Sequence, residues 1–296
     1  MRIVSLLPST TEILFAIGAG DDVAGVTFEC DFPPEARARR VVSNTALPEG
    51  LTAAEIDAEV SKRMAAGEDI YRLEEDALRD IDPELILTQD LCAVCAVDVS
   101  NVEGALDHLG CRARVLTVDP SSLDEVIESI ATIGAATGHD DEASELTSSL
   151  RARLARMADA VGGAQVAPRV AMLEWTDPPF NAGHWVPDLV TGAGGTEVLG
   201  RPGVPSVRVE WQAIEAAAPD IVVVAPCGYR LDGARRLAQA LVADGRLPAS
   251  AAVWAIDADA VVVRPGPRVV DGVEAIAGIV HPDLAPGRPE LVTRVR

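Results

Sequence analysis

Apolar residues along this chain recur in two rhythms. Short runs such as Arg2-Ile3-Val4-Ser5-Leu6-Leu7, Leu85-Ile86-Leu87, Arg169-Val170-Ala171-Met172-Leu173 and Ile221-Val222-Val223 have the length and composition of buried strands. Helical segments alternate with them. Ser9-x-x-Glu12, Thr52-x-x-Glu55, Ser100-x-x-Glu103 and Ser122-x-x-Glu125 each have capping-box spacing, in which hydroxyl and carboxylate satisfy the first free amides of a helix. Alternation of this kind predicts an α/β protein with mainly parallel strands.

The pattern also repeats. Ala77 to Leu87 and Ala213 to Val223 are each a short helix, a stopping proline, an acidic residue and a β-rich run, with Pro83 and Pro219 lying 136 positions apart. Each copy has an opening strand upstream, at Arg2–Leu7 and Arg169–Leu173, so the chain reads as two similar lobes. Between them Ala143, Leu146, Leu150, Leu154 and Met157 recur at three or four, which predicts one amphipathic helix over about 140–160. At roughly 30 Å such a helix is long enough to join the lobes. The expected organisation is an α/β lobe over residues 1–120, a helical segment over 121–167 and a second α/β lobe over 168–296, with a ligand cleft where the carboxyl ends of the two sets of strands face each other.

Loops after the predicted strands then hold the candidate contacts. In the first lobe these are Thr10, Phe28, Cys30, Gln89, Leu91, Cys92 and Cys95; in the second, Cys227, Tyr229, Arg264 and Arg268. The second lobe also carries the stretch Trp175 to Trp185, with two of the four tryptophans of a chain that is 3% aromatic. Trp175, Asp177, Pro179, Phe180, Gly183, His184 and Trp185 are expected to form a wall for something flat and apolar with a polar edge. Cys92-x-x-Cys95 suits a redox pair or half of a zinc site, which His184, Cys30 or Cys227 would have to complete. His184 reads either as a metal ligand or as a cap on the helix beginning near Pro187, and Arg264 and Arg268 either as a grip on an anionic or amide edge or as solvated surface arginines.

Composition narrows the function further. The formal charge of −21, from 46 acidic and 25 basic residues, opposes nucleic-acid binding. No run of about 18 apolar residues predicts membrane insertion. Five cysteines fit a reducing compartment, and Met1 leads straight into a strand with no leader-like pattern, so the expected location is cytoplasmic, or periplasmic or extracellular if a leader has been removed. Serine-nucleophile, P-loop, dinucleotide and HExxH motifs are missing from the sequence.

Arg2-Ile3-Val4-Ser5-Leu6-Leu7-Pro8-Ser9-Thr10-Thr11-Glu12-Ile13-Leu14, followed by Gly18-Ala19-Gly20, resembles the opening of the periplasmic-binding-protein-like family that serves cobalamin, haem and iron-siderophore ABC importers. Asp177-Pro178-Pro179-Phe180-Asn181-Ala182-Gly183 and Gly194-Gly195 are most similar to its cobalamin-binding branch. The resemblance implies two Rossmann-like lobes joined by one long backbone helix, a corrinoid in the cleft and no catalysis. It also implies an acidic docking residue for a permease on each lobe, matched here by Glu75 or Asp76 and by Glu210. A helical stretch from about Leu51 to Gly67 departs from the family pattern, as do the cysteine-bearing loops.

The expected function is therefore non-enzymatic binding of a cobalamin-like ligand by a monomer, with His184 as a possible axial metal ligand and Cys92 and Cys95 as further metal candidates. Haem or a ferric siderophore is the alternative among ligands. A metal- or thiol-dependent cytosolic enzyme using zinc or iron at Cys92, Cys95, Cys227 and His184 is the alternative among classes, and a scaffold binding only a protein partner is the third.

Overall fold

The computed structural model describes residues 1–89, Val102 and 112–296. The chain divides into two compact units, residues 1–120 with 128–147, and residues 121–127 with 148–296. The division passes through two helices, Leu123–Thr137 and Asp140–Val161. The second is the long helix predicted from the periodicity, and Ala143, Leu150 and Met157 of its apolar stripe are buried. Its 22 residues span about 33 Å.

The first unit is built on the strands β1 (Ile3–Ser5), β2 (Val23–Thr27), β3 (Arg40–Thr45), β4 (Tyr71–Leu73), β5 (Leu85–Thr88) and β6 (Arg114–Thr117), in the order β4-β3-β2-β1-β5-β6. Every pairing is parallel except β3 with β4. Val4, Leu6, Val42, Ile86, Ala77 and Leu78 meet in one core cluster, the last two from the helix Glu75–Ile81. The second unit contains β7 (Arg169–Thr176), β8 (Pro179–Asn181), β9 (Thr196–Glu197), β10 (Ile221–Val224), β11 (Ala252–Ile256) and β12 (Val292–Arg294), in the order β12-β11-β10-β7-β8, with β9 on the start of β7. β10 is wholly buried, as its unbroken Ile-Val-Val-Val demands.

The repeat read from the sequence recurs as a hydrogen-bonding device. Arg2 opens β1 and places Nε on the carbonyls of Ile81 and Asp82, while its backbone N–H donates to Glu84. Arg169 opens β7, donates from its guanidinium to the carbonyls of Ala217 and Ala218, and its N–H donates to Asp220. Both arginines therefore satisfy carbonyls left open at the end of a short helix, where a positive charge is also favoured. In both copies the residue before the proline is left-handed, Asp82 at φ 47° and Ala218 at φ 42°.

The predicted caps meet different fates. Thr52 and Glu55 form the full reciprocal box, and the helix Ala53–Ala66 stops at Gly67, whose φ of 68° a side chain would strain. At Ser122 the hydroxyl accepts from Glu125 N–H, but the carboxylate reaches back to Ser121 instead. Ser9 does not cap: the first helix starts at Pro8 behind Leu7, because proline at the first helical position has the required φ and lacks only an N–H that would be unpaired anyway. Ser100 and Glu103 lie outside the described residues.

Candidate ligand-binding site

The carboxyl ends of the parallel strands in each unit are where its loops converge. In the first unit, residues after β1 and β2 build a polar layer sealed from solvent. Thr11 Oγ1 donates to Ser5 Oγ at 2.8 Å and lies 3.1 Å from Cys30 Sγ, Ser5 Oγ meets Thr10 Oγ1 at 2.7 Å, and Cys30 Sγ donates to Thr27 Oγ1. Thr10, Cys30 and Gln89 are buried. Phe28 does face outward, at 41% exposure, and Phe32 likewise. The ring of Tyr71 lies 6.3 Å from that of Phe28, and its hydroxyl is 3.5 Å from a Glu29 carboxylate oxygen. Tyr71 was not among the residues expected from sequence. Its rarity was the available signal, since the chain has two tyrosines and the other is Tyr229. Leu91, Cys92 and Cys95 lie outside the described residues.

In the second unit, Trp175 on β7 and Tyr229 after β10 form an edge-to-face pair at 5.8 Å. Half-buried Phe180 on β8 pairs with Trp175 across the β7–β8 ladder, and Cys227 is exposed on the loop that leads to Tyr229. Asp177 is exposed, Pro179 is buried, and the Asp177–Pro178 peptide is cis. Gly183 is required by contact: a Cβ there would lie 2.1 Å from Ser206 N. Its N–H donates to the Glu174 carboxylate.

Trp185 and His184 differ from the expected wall. Trp185 is 7% exposed, and its indole N–H donates to the Val262 carbonyl at 2.8 Å, so the ring belongs to the core. His184 is left-handed at φ 49°, its ring stacks on Trp185, and its backbone is tied to Val204 and Gly203. Its Nε2 is buried without a hydrogen-bond partner, and desolvation pushes its pKa down. The helix Val186–Gly192 has no side-chain cap. His184 therefore does not cap that helix. Among the described residues, no group of three His, Cys, Asp or Glu is placed to hold a metal ion.

Arg264 is also committed. It is 9% exposed and places Nη2 on both oxygens of Asp259 at 2.9 Å, while Arg230 Nε lies 3.7 Å from the same carboxylate. Asp259 donates its backbone N–H to the Tyr229 carbonyl, so the charged group adjoins the aromatic pair. Arg268 is half-buried at the start of the helix Val269–Val280. A separate cavity of about 330 Å³ in this unit is lined by Ser122, Leu123, Ile127, Leu154 and Asp188 and by the Arg151–Asp124 ion pair, and none of the candidate contacts reaches it.

Of the expected docking residues, Glu75 and Asp76 are exposed in the first turn of Glu75–Ile81, where Asp76 pairs with Arg79 at 2.6 Å. Glu210 is exposed immediately before the helix Trp211–Ala216. The residue at the same place in the first unit is Glu74, which stands 136 positions earlier and accepts from Asn44.

Strand ends bearing aromatic residues on two units that repeat one βα motif agree with the sequence comparison. A family model described as "Periplasmic binding protein" matches residues 3–254. The chain belongs to the periplasmic binding protein family. It is a substrate-binding protein of the ABC-importer type, and not an enzyme. An uncharacterised ABC transporter substrate-binding lipoprotein from Bacillus subtilis is 26% identical, over 95% of this chain and 80% of its own length. A cobalamin-binding protein from Halobacterium salinarum is 26% identical over 95% of this chain and 69% of its own. Among solved structures, a periplasmic haem-binding protein from Pseudomonas aeruginosa superposes with a TM-score of 0.71 at 21% identity, covering 99% of this chain and 97% of its own, which supports the shared fold.

Proposed function

We propose that the protein binds a corrinoid for an ABC importer, using the aromatic residues at the carboxyl ends of its strands. The observation that carries this reading is an aromatic pair on each unit, Phe28 with Tyr71 and Trp175 with Tyr229, in a chain with so few aromatic residues. A corrin is a flat, largely apolar macrocycle rimmed by neutral amides, and aromatic faces with a few polar groups suit such a ligand. Charge supports the choice among tetrapyrroles. Haem brings two carboxylates, whereas Arg264 is held by Asp259 and the chain carries −21 overall. Haem is the second reading because Tyr71 and Tyr229 each offer a phenol oxygen, a ligand that ferric haem accepts. Glu74 and Glu210 are the proposed contacts to the permease.

Substitution separates wall from core. Trp175→Ala and Tyr229→Ala are each expected to weaken cyanocobalamin binding about tenfold in a fluorescence or absorbance titration. Trp185→Phe is expected to lower stability by about 1 kcal/mol through the lost bond to Val262 and to leave affinity unchanged. Weakened binding in the Trp185 variant with unchanged affinity in the other two would reject this assignment.

A further inference from the structure

The excursion between β3 and β4 starts and ends at one point. Thr45 pairs with Tyr71, and Ala46 N–H donates to the Ile70 carbonyl at 2.8 Å, so residues 47–69 leave and re-enter through a closed neck. Since β3 runs parallel to β2, this neck stands at the same sheet end as Phe28. The neck residue Tyr71 is itself the aromatic partner of Phe28.

Within the excursion, the helix Ala53–Ala66 carries its own start, ion pairs and stop. The Thr52–Glu55 box starts it, Glu59 pairs with Arg63 at 2.8 Å and with Lys62 at 3.3 Å along it, and Gly67 stops it. Its burial is slight: Ala53 and Val60 alone are buried among its 14 residues. Ile56, Val60 and Met64 form an apolar stripe at spacing four that is half-buried, buried and then 51% exposed. The stripe runs out into solvent while Phe28 is also uncovered. A capped helix on a narrow neck with one end of its apolar face open has the construction of a mobile cover.

We propose that residues 47–69 form a cap that contacts the ligand at the Phe28–Tyr71 face and slows its release, with Met64 as the contact that closes. This rests on the corrinoid reading above. A cap of this kind acts on the dissociation rate more than on association.

The test compares the intact protein with a variant in which 47–69 are replaced by a two-residue Gly-Ser turn between Ala46 and Ile70, and with Met64→Ser, which leaves the helix in place. Cyanocobalamin is the probe, thermal melting checks folding, and release is followed by stopped-flow displacement. Hydrogen exchange of 53–66 is measured with and without cyanocobalamin. The proposal expects added protection of 53–66 on binding, release faster by about tenfold in the deletion and by about threefold in Met64→Ser. Should the deletion fail to fold, exchange and Met64→Ser decide. Binding by the intact protein with unchanged exchange and unchanged release in Met64→Ser overturns the cap alone; no binding by the intact protein overturns the corrinoid reading and the cap with it.

Discussion

Arg264 shows how a single partner changes what a residue offers. On a rigid Pro-Gly-Pro turn it looks ready to grip an anion, but Asp259 takes its guanidinium with both oxygens in a largely desolvated place, where separating the two would leave a buried charge. Residue spacing alone did not reveal that partner. His184 and Trp185 were misleading for a related reason: glycine and proline neighbours suggested exposure, whereas contacts with Val204, Gly203 and Val262, distant in sequence, half-bury His184 and bury Trp185. Burial keeps His184 neutral by lowering its pKa from 6.5. An unfolded chain takes up that proton near pH 6.5 while the folded one resists it. The histidine's contribution is complete above pH 6.5 and is lost as pH falls below it. His184→Asn, which tolerates the left-handed backbone, should therefore show a smaller loss of urea stability between pH 7.5 and 5.5 than the parent; an equal loss would place the acid sensitivity elsewhere.

Elements were the most readable level. Strand runs, the long helix and the duplicated helix-proline-strand segment follow from periodicity and proline chemistry, which act locally. What could not be read is where a helix begins when two rules compete, as Pro8 displaced the Ser9 box, and how an opening arginine reaches carbonyls some 50 to 80 positions away. The second copy of that device yields a prediction of unusual sign. Ala218 is left-handed, so Ala218→Gly should stabilise the protein by about 0.5–1 kcal/mol in chemical denaturation, where the same change inside a helix would cost a similar amount. β9 yields another. The Glu197 carboxylate accepts from the backbone N–H groups of Met172, Leu199 and Gly200, although burial raises its pKa. Glu197→Ala should cost about 3 kcal/mol or more by stranding those donors, and Glu197→Gln, which keeps an acceptor, should cost less. Equal losses in the two variants would mean that the side chain acts through packing.

At the scale of the whole molecule, family and binding function were legible because an opening motif and an aromatic-rich stretch carry both. The candidate site was legible only in outline: Phe28, Trp175, Phe180 and Tyr229 stand at or near strand ends, Thr10, Cys30 and Gln89 are buried, and Tyr71, Glu74 and Asp259 emerged from strand pairing and hydrogen bonding. The second unit also has a four-member ion network, with Arg153 and Arg288 each contacting Asp271 and Glu274. Burial alone would raise the Glu274 pKa, but hydrogen bonds from both arginines hold it below its usual value. That contribution is present at neutral pH and fades as acid protonates the carboxylate.

The central claim is ligand identity, and it is tested most directly by titrating the intact protein with cyanocobalamin and, in parallel, with haemin at neutral pH. The account predicts saturable, one-to-one cyanocobalamin binding at about micromolar or tighter affinity, with quenching of tryptophan emission that Trp175→Ala removes, and weaker haemin binding. Haemin saturating first, with no cyanocobalamin response well above micromolar concentration, would contradict it.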